Sequence, residues 1–337
     1  VQIVWKFLTL LVSVDRKHGI MAITPHRPIS TLCLNPALDV TYHVNRLIPD
    51  EKSRADSARY DPGGNGINIG RALTRLDIES HTICVIAGAV GQIFRTLLYE
   101  QLPHVVYEEV SGETRINTTI IETGSHNQFQ ITSSGTDIPE RDIKRIADDF
   151  IEVTGDGYGI ITGSCQPNVS LSLYAELVER INRQGGRAVV DVHGEMLKRA
   201  IAAKPFMIKP NKYELEMMLD ESLPSPEAVA QSARRIQQGG VDYVCVSLSH
   251  EGALLVTPEN SYFAKALDVT VNTTVGAGDS MVAGLVAGFS LHDTPEKILT
   301  LGLACGAGTV MHPGTELFDG SDIDCLSKQV VITKLDI

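Results

Sequence analysis

This 337-residue sequence is short of the patterns that would settle its chemistry at a glance. Its six cysteines, at 33, 84, 165, 245, 305 and 325, include no C-x-x-C pair and no metal-like grouping with histidine. Several lie in apolar strand-like runs (ICVIAG, YVCVSL), where a reduced thiol packs as a small hydrophobe, so a reducing cytoplasm is the expected compartment. The ten histidines form no H-E-x-x-H, and no G-x-x-x-x-G-K-[ST] occurs, which removes the zincin and P-loop readings. Ser164 in GSC has no glycine at nucleophile-elbow spacing, so serine hydrolysis has no support. No Lys/Arg run interrupts a net charge of −12, a balance that disfavours nucleic acid and anionic membrane. Long apolar runs are missing too. Phe7 to Val14 is too short to span a bilayer, and Asp15, Arg16, Lys17 and His18 follow where a signal peptide would place small residues. Val1 is not a methionine and Met21 stands just ahead of the first strand-like stretch, so residues 1–29 are expected to be an extension outside the fold.

What remains is a regular alternation. Strand-like runs at 30–35, 81–88, 159–164, 187–192, 205–211 and 242–249 are separated by amphipathic segments such as RDIKRIADDFIEV and PEAVAQSARRIQQGG. That order predicts an α/β domain over 30–330, a mostly parallel central sheet covered on both faces in three layers, with 331–337 as a tail. After Gly252, GALLVT and YFAKAL read as a hairpin, followed by helices over 278–290 and 295–311. Two stretches, within 38–60 and 113–132, alternate polar and apolar residues and read as antiparallel strands of a small second sheet. Such a sheet would serve as a lid or a dimerisation surface, and a homodimer through it is expected.

Three segments carry chemistry. DPGGNGINIGRAL, from Asp61 to Leu73, fails the dinucleotide fingerprint because position 69 is Ile. It leaves a glycine loop feeding a helix, with Asn65 and Asn68 as neutral groups able to bind hydroxyls, or simply a tight connection. In MIKPNKYELEMM, Asn211 can cap a helix with Glu214 as its N3 partner, which explains both residues structurally; the functional alternative places them around hydrated Mg²⁺. In NTTVGAGDSMVAGLVAG, Asp279 follows Gly276, Ala277 and Gly278 at the head of a helix of small apolar residues. An N-cap needs no glycine approach, whereas glycines let bare N–H groups come close to an anion. A carboxylate beside such an anion hole suits phosphoryl transfer, as the base for an attacking hydroxyl.

Together TVGAGDS, PGGNGIN, KPNKYE and NPALD resemble the ribokinase superfamily, and more narrowly its phosphofructokinase B branch of sugar-phosphate kinases, over about residues 30–330. The resemblance implies a ribokinase-like fold and an ATP-dependent kinase with Asp279 as catalytic base and Gly276, Ala277 and Gly278 as anion-hole amides. It gives Asp39, Gly64 and Asn68 to the sugar hydroxyls, and Lys52 and Arg115, with Arg54 and Ser164, to the phosphate that the substrate already carries. It also gives Lys209, Asn211, Ser247, Ser249 and Gly252 to ATP, Asn211 and Glu214 to Mg²⁺ through water, and Thr273 and Val275 to a monovalent cation such as K⁺. Two departures stand out: His250 follows Ser249 where a glycine is common, and GSCQPN replaces a more usual double proline. PDEKSR, GGNGIN and PGTELF favour fructose 6-phosphate as substrate; GETRIN and NPALD are also close in style to 1-phosphofructokinases and tagatose-6-phosphate kinases. A silent nucleotide or sugar-phosphate sensor is the reading from another class, and the intact Asp279, motif glycines and Lys209 argue against it.

Overall fold

The structure, a computed structural model, describes residues 27–125 and 127–337. The expected N-terminal extension therefore lies almost wholly outside the described residues. Its last residues belong to the fold, because Pro28 O accepts a hydrogen bond from Tyr158 N and Ile29 opens the first strand.

The β-branched runs become the parallel strands of a ten-stranded sheet. They are β1 (Ile29–Cys33), then, after the second-sheet strands β2 (Ala37–Val44) and β3 (Ala55–Gly63) and helix α1 (Asn65–Arg75), β4 (His81–Ala87). Helix α2 (Gly88–Gln101) and strand β5 (Val105–Val110) follow; β6 (Arg115–Glu122) and β7 (Gln128–Ile131) return to the second sheet. Then come α3 (Glu140–Thr154), β8 (Tyr158–Thr162), α4 (Leu173–Arg183), β9 (Arg187–Asp191), α5 (Gly194–Ala202), β10 (Met207–Ile208), α6 (Lys212–Leu219), α7 (Pro226–Gln238) and β11 (Tyr243–Ser247). The hairpin expected after Gly252 is β12 (Gly252–Val256) with β13 (Ser261–Lys265), and α8 (Ala277–Ser290), α9 (Pro295–Val310) and α10 (Gly320–Ser327) complete the helices. The segment beyond 330, expected as a tail, instead supplies β14 (Ile332–Leu335), which pairs antiparallel with β13 and closes one edge.

Successive residues of each central strand point to opposite faces, so both faces are apolar and both need cover. Ile161 and Val190 enter the core under α3, α4 and α7, while their neighbours Ile160 and Val189 enter the core under α1, α8 and α9. The second of these cores depends on small residues. Added Cβ atoms at Gly284 and Gly288 of α8 would stand 2.7 Å from Leu301 O and 3.0 Å from Ile298 Cα, so α8 and α9 approach backbone to backbone. This close fit accounts for the Gly/Ala-rich sequence of α8, which is buried from Asp279 to Ser290.

The second sheet has the order β3-β2-β6-β7. Its outer pairs are antiparallel as expected, but the central pair β2–β6 is parallel, with Ala37 opposite Arg115 and Val44 opposite Glu122. The cause is topological: β2 follows β1 and β6 follows β5, two parallel strands of the main sheet, so both leave the same carboxyl edge in the same direction. This four-stranded lid is rooted on that edge, where ligands of open α/β sheets bind.

Candidate active site

Beneath the lid, the carboxyl ends of the main strands open into a cleft of about 440 Å³. Nine of the residues singled out from the sequence line it: Asn65, Ser164, Lys209, Asn211, Glu214, Ser247, Gly276, Gly278 and Asp279. Asp191, at the end of β9, lines it as well and was not anticipated. An acidic residue ending the buried run RAVVDV was the available signal.

Asp279 is not the cap of its helix. Gly276 occupies that position at φ 78°, with no side chain to offer, and Asp279 stands at the third helical residue. The first turn therefore keeps N–H groups without a side-chain cap at the cleft, the arrangement that attracts an anion. The carboxylate turns towards α1 instead: Asn65 Nδ2 donates to Oδ1 at 2.8 Å and Asn68 Nδ2 to Oδ2 at 2.8 Å. Burial raises its pKa to about 6, with Asp191 adding to the rise and the two amides opposing it. Asn68, read as a sugar-hydroxyl ligand, thus spends its amide on Asp279.

Lys209 directly follows β10 and is 4 % exposed, with its Nζ 3.0 Å from Asp191 Oδ1. Burial alone would push this ammonium down, but Asp191 outweighs it and the net direction is up, so the cation is firmly held. Next in the chain, Asn211 and Glu214 form the capping box in full: Glu214 N donates to Asn211 Oδ1 and Asn211 N to Glu214 Oε2, both at 2.8 Å. The structural explanation of this pair is correct, and both residues also face the cleft. One carboxylate oxygen of Glu214 is left over from the cap, which suits a hydrated cation that takes few direct ligands.

The lid contributes a second cluster at its root. Arg115 and Gly63 flank Ala37 in one row; in the next row on the same face, Asn117 and Asp61 flank Asp39. Asn117 Nδ2 donates to Asp39 Oδ1 at 2.9 Å, and burial lifts the Asp39 carboxyl to about 6 despite that bond. A Cβ on Gly63 would overlap the Asp39 carboxylate, so the glycine makes room for it. Asp61 is bound by Arg59 and by Thr315 Oγ1 at 2.8 Å, which ties the lid to the loop after α9. The Arg115 guanidinium donates to Asn35 O and Ser133 O and has no carboxylate partner among the described residues, so its charge is available. Asn35 Nδ2 in turn donates to Ser164 Oγ at 3.1 Å, linking the lid root to the cleft.

Other expected residues stand apart. Lys52 and Arg54 are exposed in the β2–β3 turn, at the far end of the lid, about 23 Å of strand away from Arg115. Ser249 and Gly252 bracket a short 3₁₀ turn after β11 outside the cleft lining. Gly252, at φ 124°, has a backbone reason to be glycine, since a Cβ there would collide with Ala264 O. Gly64, at φ 117°, is the α1 cap beside Cys33 Sγ. Thr273 and Val275 sit behind the α8 terminus, where Val275 N donates to Thr273 Oγ1 and Thr273 N to Val310 O.

Residues 33–319 match the pfkB family carbohydrate kinase model. The chain is 32% identical over 309 residues to the 1-phosphofructokinase of Bacillus subtilis, covering 91% of this chain and 100% of that one. It is 31% identical over 296 residues to the ATP-dependent 6-phosphofructokinase isozyme 2 of Escherichia coli, covering 87% of this chain and 96% of that one. Among solved structures, phosphofructokinase-2 from Escherichia coli in complex with potassium superposes with a TM-score of 0.85 at 30% identity, over 90% of this chain and 98% of that one.

Proposed function

The chain belongs to the pfkB family of carbohydrate kinases, phosphotransferases whose acceptor is a hydroxyl group, and on that premise we propose that it transfers the γ-phosphate of ATP to fructose 6-phosphate, giving fructose 1,6-bisphosphate. The observation that carries the chemistry is the placement of Asp279: a buried carboxylate inside the cleft, at a helix terminus that has no cap of its own. As the sugar hydroxyl attacks the γ-phosphorus, Asp279 takes its proton and the N–H groups of Ala277 and Gly278 receive the developing phosphate charge. Lys209 supplies a fixed positive charge at the cleft wall. Asn211 and Glu214 suit Mg²⁺ held through its waters; when bound, that ion would shield the phosphate charges. Thr273 and Val275 are assigned to a monovalent cation by analogy with the relative solved with potassium.

Arg115 and Asp39 supply substrate recognition, one for the phosphate already on the sugar and one for its hydroxyls. A second reading, 1-phosphofructokinase, is favoured by the Bacillus subtilis relative of that name. Tagatose 6-phosphate is the third candidate acceptor. A cytoplasmic glycolytic role goes with this reading, on the reduced cysteines expected from the sequence. No helix among the described residues is long and apolar enough to cross a membrane.

The lid face opposite Asp39 supports a homodimer. Register puts Tyr60, Val40, Thr118 and Ile131 in one row of that face and Ala58, Tyr42, Ile120 and Phe129 in the next. Tyr60, Phe129 and Ile131 are 49, 43 and 61 % exposed, an apolar surface that a second lid would cover. Lys52 at the lid tip would then approach a substrate phosphate in the partner rather than in its own chain. Light scattering of Phe129→Glu/Ile131→Glu checks this, with a monomer expected.

Coupled ADP release with Mg-ATP across fructose 6-phosphate, fructose 1-phosphate, tagatose 6-phosphate, fructose and ribose tests the function. Preference for fructose 6-phosphate is the expected result, and preference for fructose 1-phosphate installs the second reading. Activity confined to the unphosphorylated sugars would remove the role given to Arg115. No release with any of the five would sink the proposal.

A further inference from the structure

Each oxygen of the Asp279 carboxylate accepts one amide hydrogen bond, and the hydroxyl that a base deprotonates must come to one of these two oxygens, beside its amide or in place of it. The two amides that cover them are held very differently. Asn68 is 6 % exposed and is fixed at both ends of its amide, donating to Asp279 and accepting from Arg71 Nη1 at 3.4 Å. Asn65 is exposed, is the first residue of α1, lines the cleft, and has Asp279 as its only side-chain hydrogen-bond partner among the described residues. Its carbonyl oxygen rests against Gly163, whose φ of 80° and missing Cβ leave the amide room.

We propose that Asn65 is a positioning residue that covers Asp279 Oδ1 until substrate binds, holds the carboxylate in its working orientation, and yields that oxygen to the acceptor hydroxyl. Asn68 stays on Oδ2 throughout. The inference rests on the reading of Asp279 as base. In the step it serves, the acceptor oxygen bonds to the γ-phosphorus and its proton passes to Oδ1, while the bond from that phosphorus to the ADP oxygen breaks. Asn65 therefore acts through Asp279 and takes no part in the bond changes.

The charged groups around Asp279 set the background. Asp191 on β9 faces it and is paired with Lys209, just after β10; Arg71 lies behind Asn68 on α1; His193 and Glu214 line the cleft. The end of α9 packed against this turn, Gly306 to Val310, carries no charge. Since an amide donor stabilises the ionised form, losing one raises the carboxyl pKa by roughly half to one unit.

The experiment is the pH dependence of kcat and of kcat/KM for the sugar in the wild type, Asn65→Ala and Asn65→Asp, with Asp279→Asn as control. The acid limb of kcat/KM reports the free enzyme and that of kcat the loaded one. The expected result for Asn65→Ala is a kcat/KM limb displaced upward by about half to one pH unit while the kcat limb stays in place, because Asn65 has already left Oδ1 in the complex. Asn65→Asp puts a second carboxylate beside the first and should displace the kcat/KM limb by more than about one unit. Equal displacement of both limbs would show that Asn65 remains on Oδ1 during turnover and would overturn the handover. Limbs that do not move in either variant would overturn the positioning role. Turnover persisting in Asp279→Asn would instead defeat the reading of the base.

Discussion

The cleft and the lid root each hold an aspartate whose pKa desolvation raises to about 6, but the two regions are built from different partners. Asp279 is held by two neutral amides of α1, against a helix packed between rigid layers. Asp39 sits in a row of polar residues on a sheet whose other face is apolar and partly exposed, with Asn117 and Asp61 beside it and Arg115 one row away. Neutral partners leave a carboxylate free to gain and lose a proton near neutral pH. A polar row with a guanidinium in the neighbouring row suits recognition of a phosphorylated sugar. On the proposed function, the same desolvation would serve proton transfer in one place and binding in the other.

Removing each side chain sharpens that division. The largest effect is expected from Asp279→Ala: kcat falls by about 10²–10⁴-fold while ATP affinity is kept, as measured by steady-state kinetics beside nucleotide titration. Loss of affinity in step with turnover would assign Asp279 a structural task. Arg115→Ala should raise KM for the phosphorylated sugar by roughly ten- to a hundredfold with kcat little changed, the cost of losing a charge-assisted contact. A fall in kcat alone would erase the distinction between cleft and lid.

A smaller effect concerns stability. Both carboxyls have folded values near 6 against an ordinary 3.8, so between those values the folded chain binds more protons than the unfolded one. Their contribution to stability accordingly falls as pH rises through that window and is constant above it. Asp39→Asn and Asp279→Asn should each flatten the slope, by about 1–3 kcal/mol across the window, in thermal melts from about pH 4 to pH 7. A slope unaffected by either change would mean that other groups carry it. The smallest effect is expected far from both regions: Lys297→Ala, which ends a solvent-exposed pair with Asp293, should shift stability by less than about 0.5 kcal/mol.

The main sheet was legible because buried parallel strands need β-branched runs on both faces, and HTICVIAG or DYVCVSLS can hardly be anything else. The direction of β2 against β6 was not legible, since pairing sense is decided by where two distant strands leave the main sheet. Nor was β14: ITKL is four residues of mixed polarity, and edge position rather than pattern makes it a strand. At the site, glycine spacing exposed Asp279, and the capping grammar of Asn211 and Glu214 was read correctly. Asn65 was read as a group for binding hydroxyls; its bond to Asp279 was not legible, because that partner lies 214 residues away.

The manner in which the lid is attached has a mechanical consequence. The chain enters and leaves it at 34–36, 64, 111–114 and 132–139, all at its root, while the turns at 45–54 and from 123 lie at the opposite end. The lid is therefore a cantilever. A load on its tip or its apolar face produces a bending moment that is greatest at the clamped end, and the clamped end is where Asp39, Arg115 and Gly63 stand. Whatever covers that face would push on Asp39 and Arg115 through a lever.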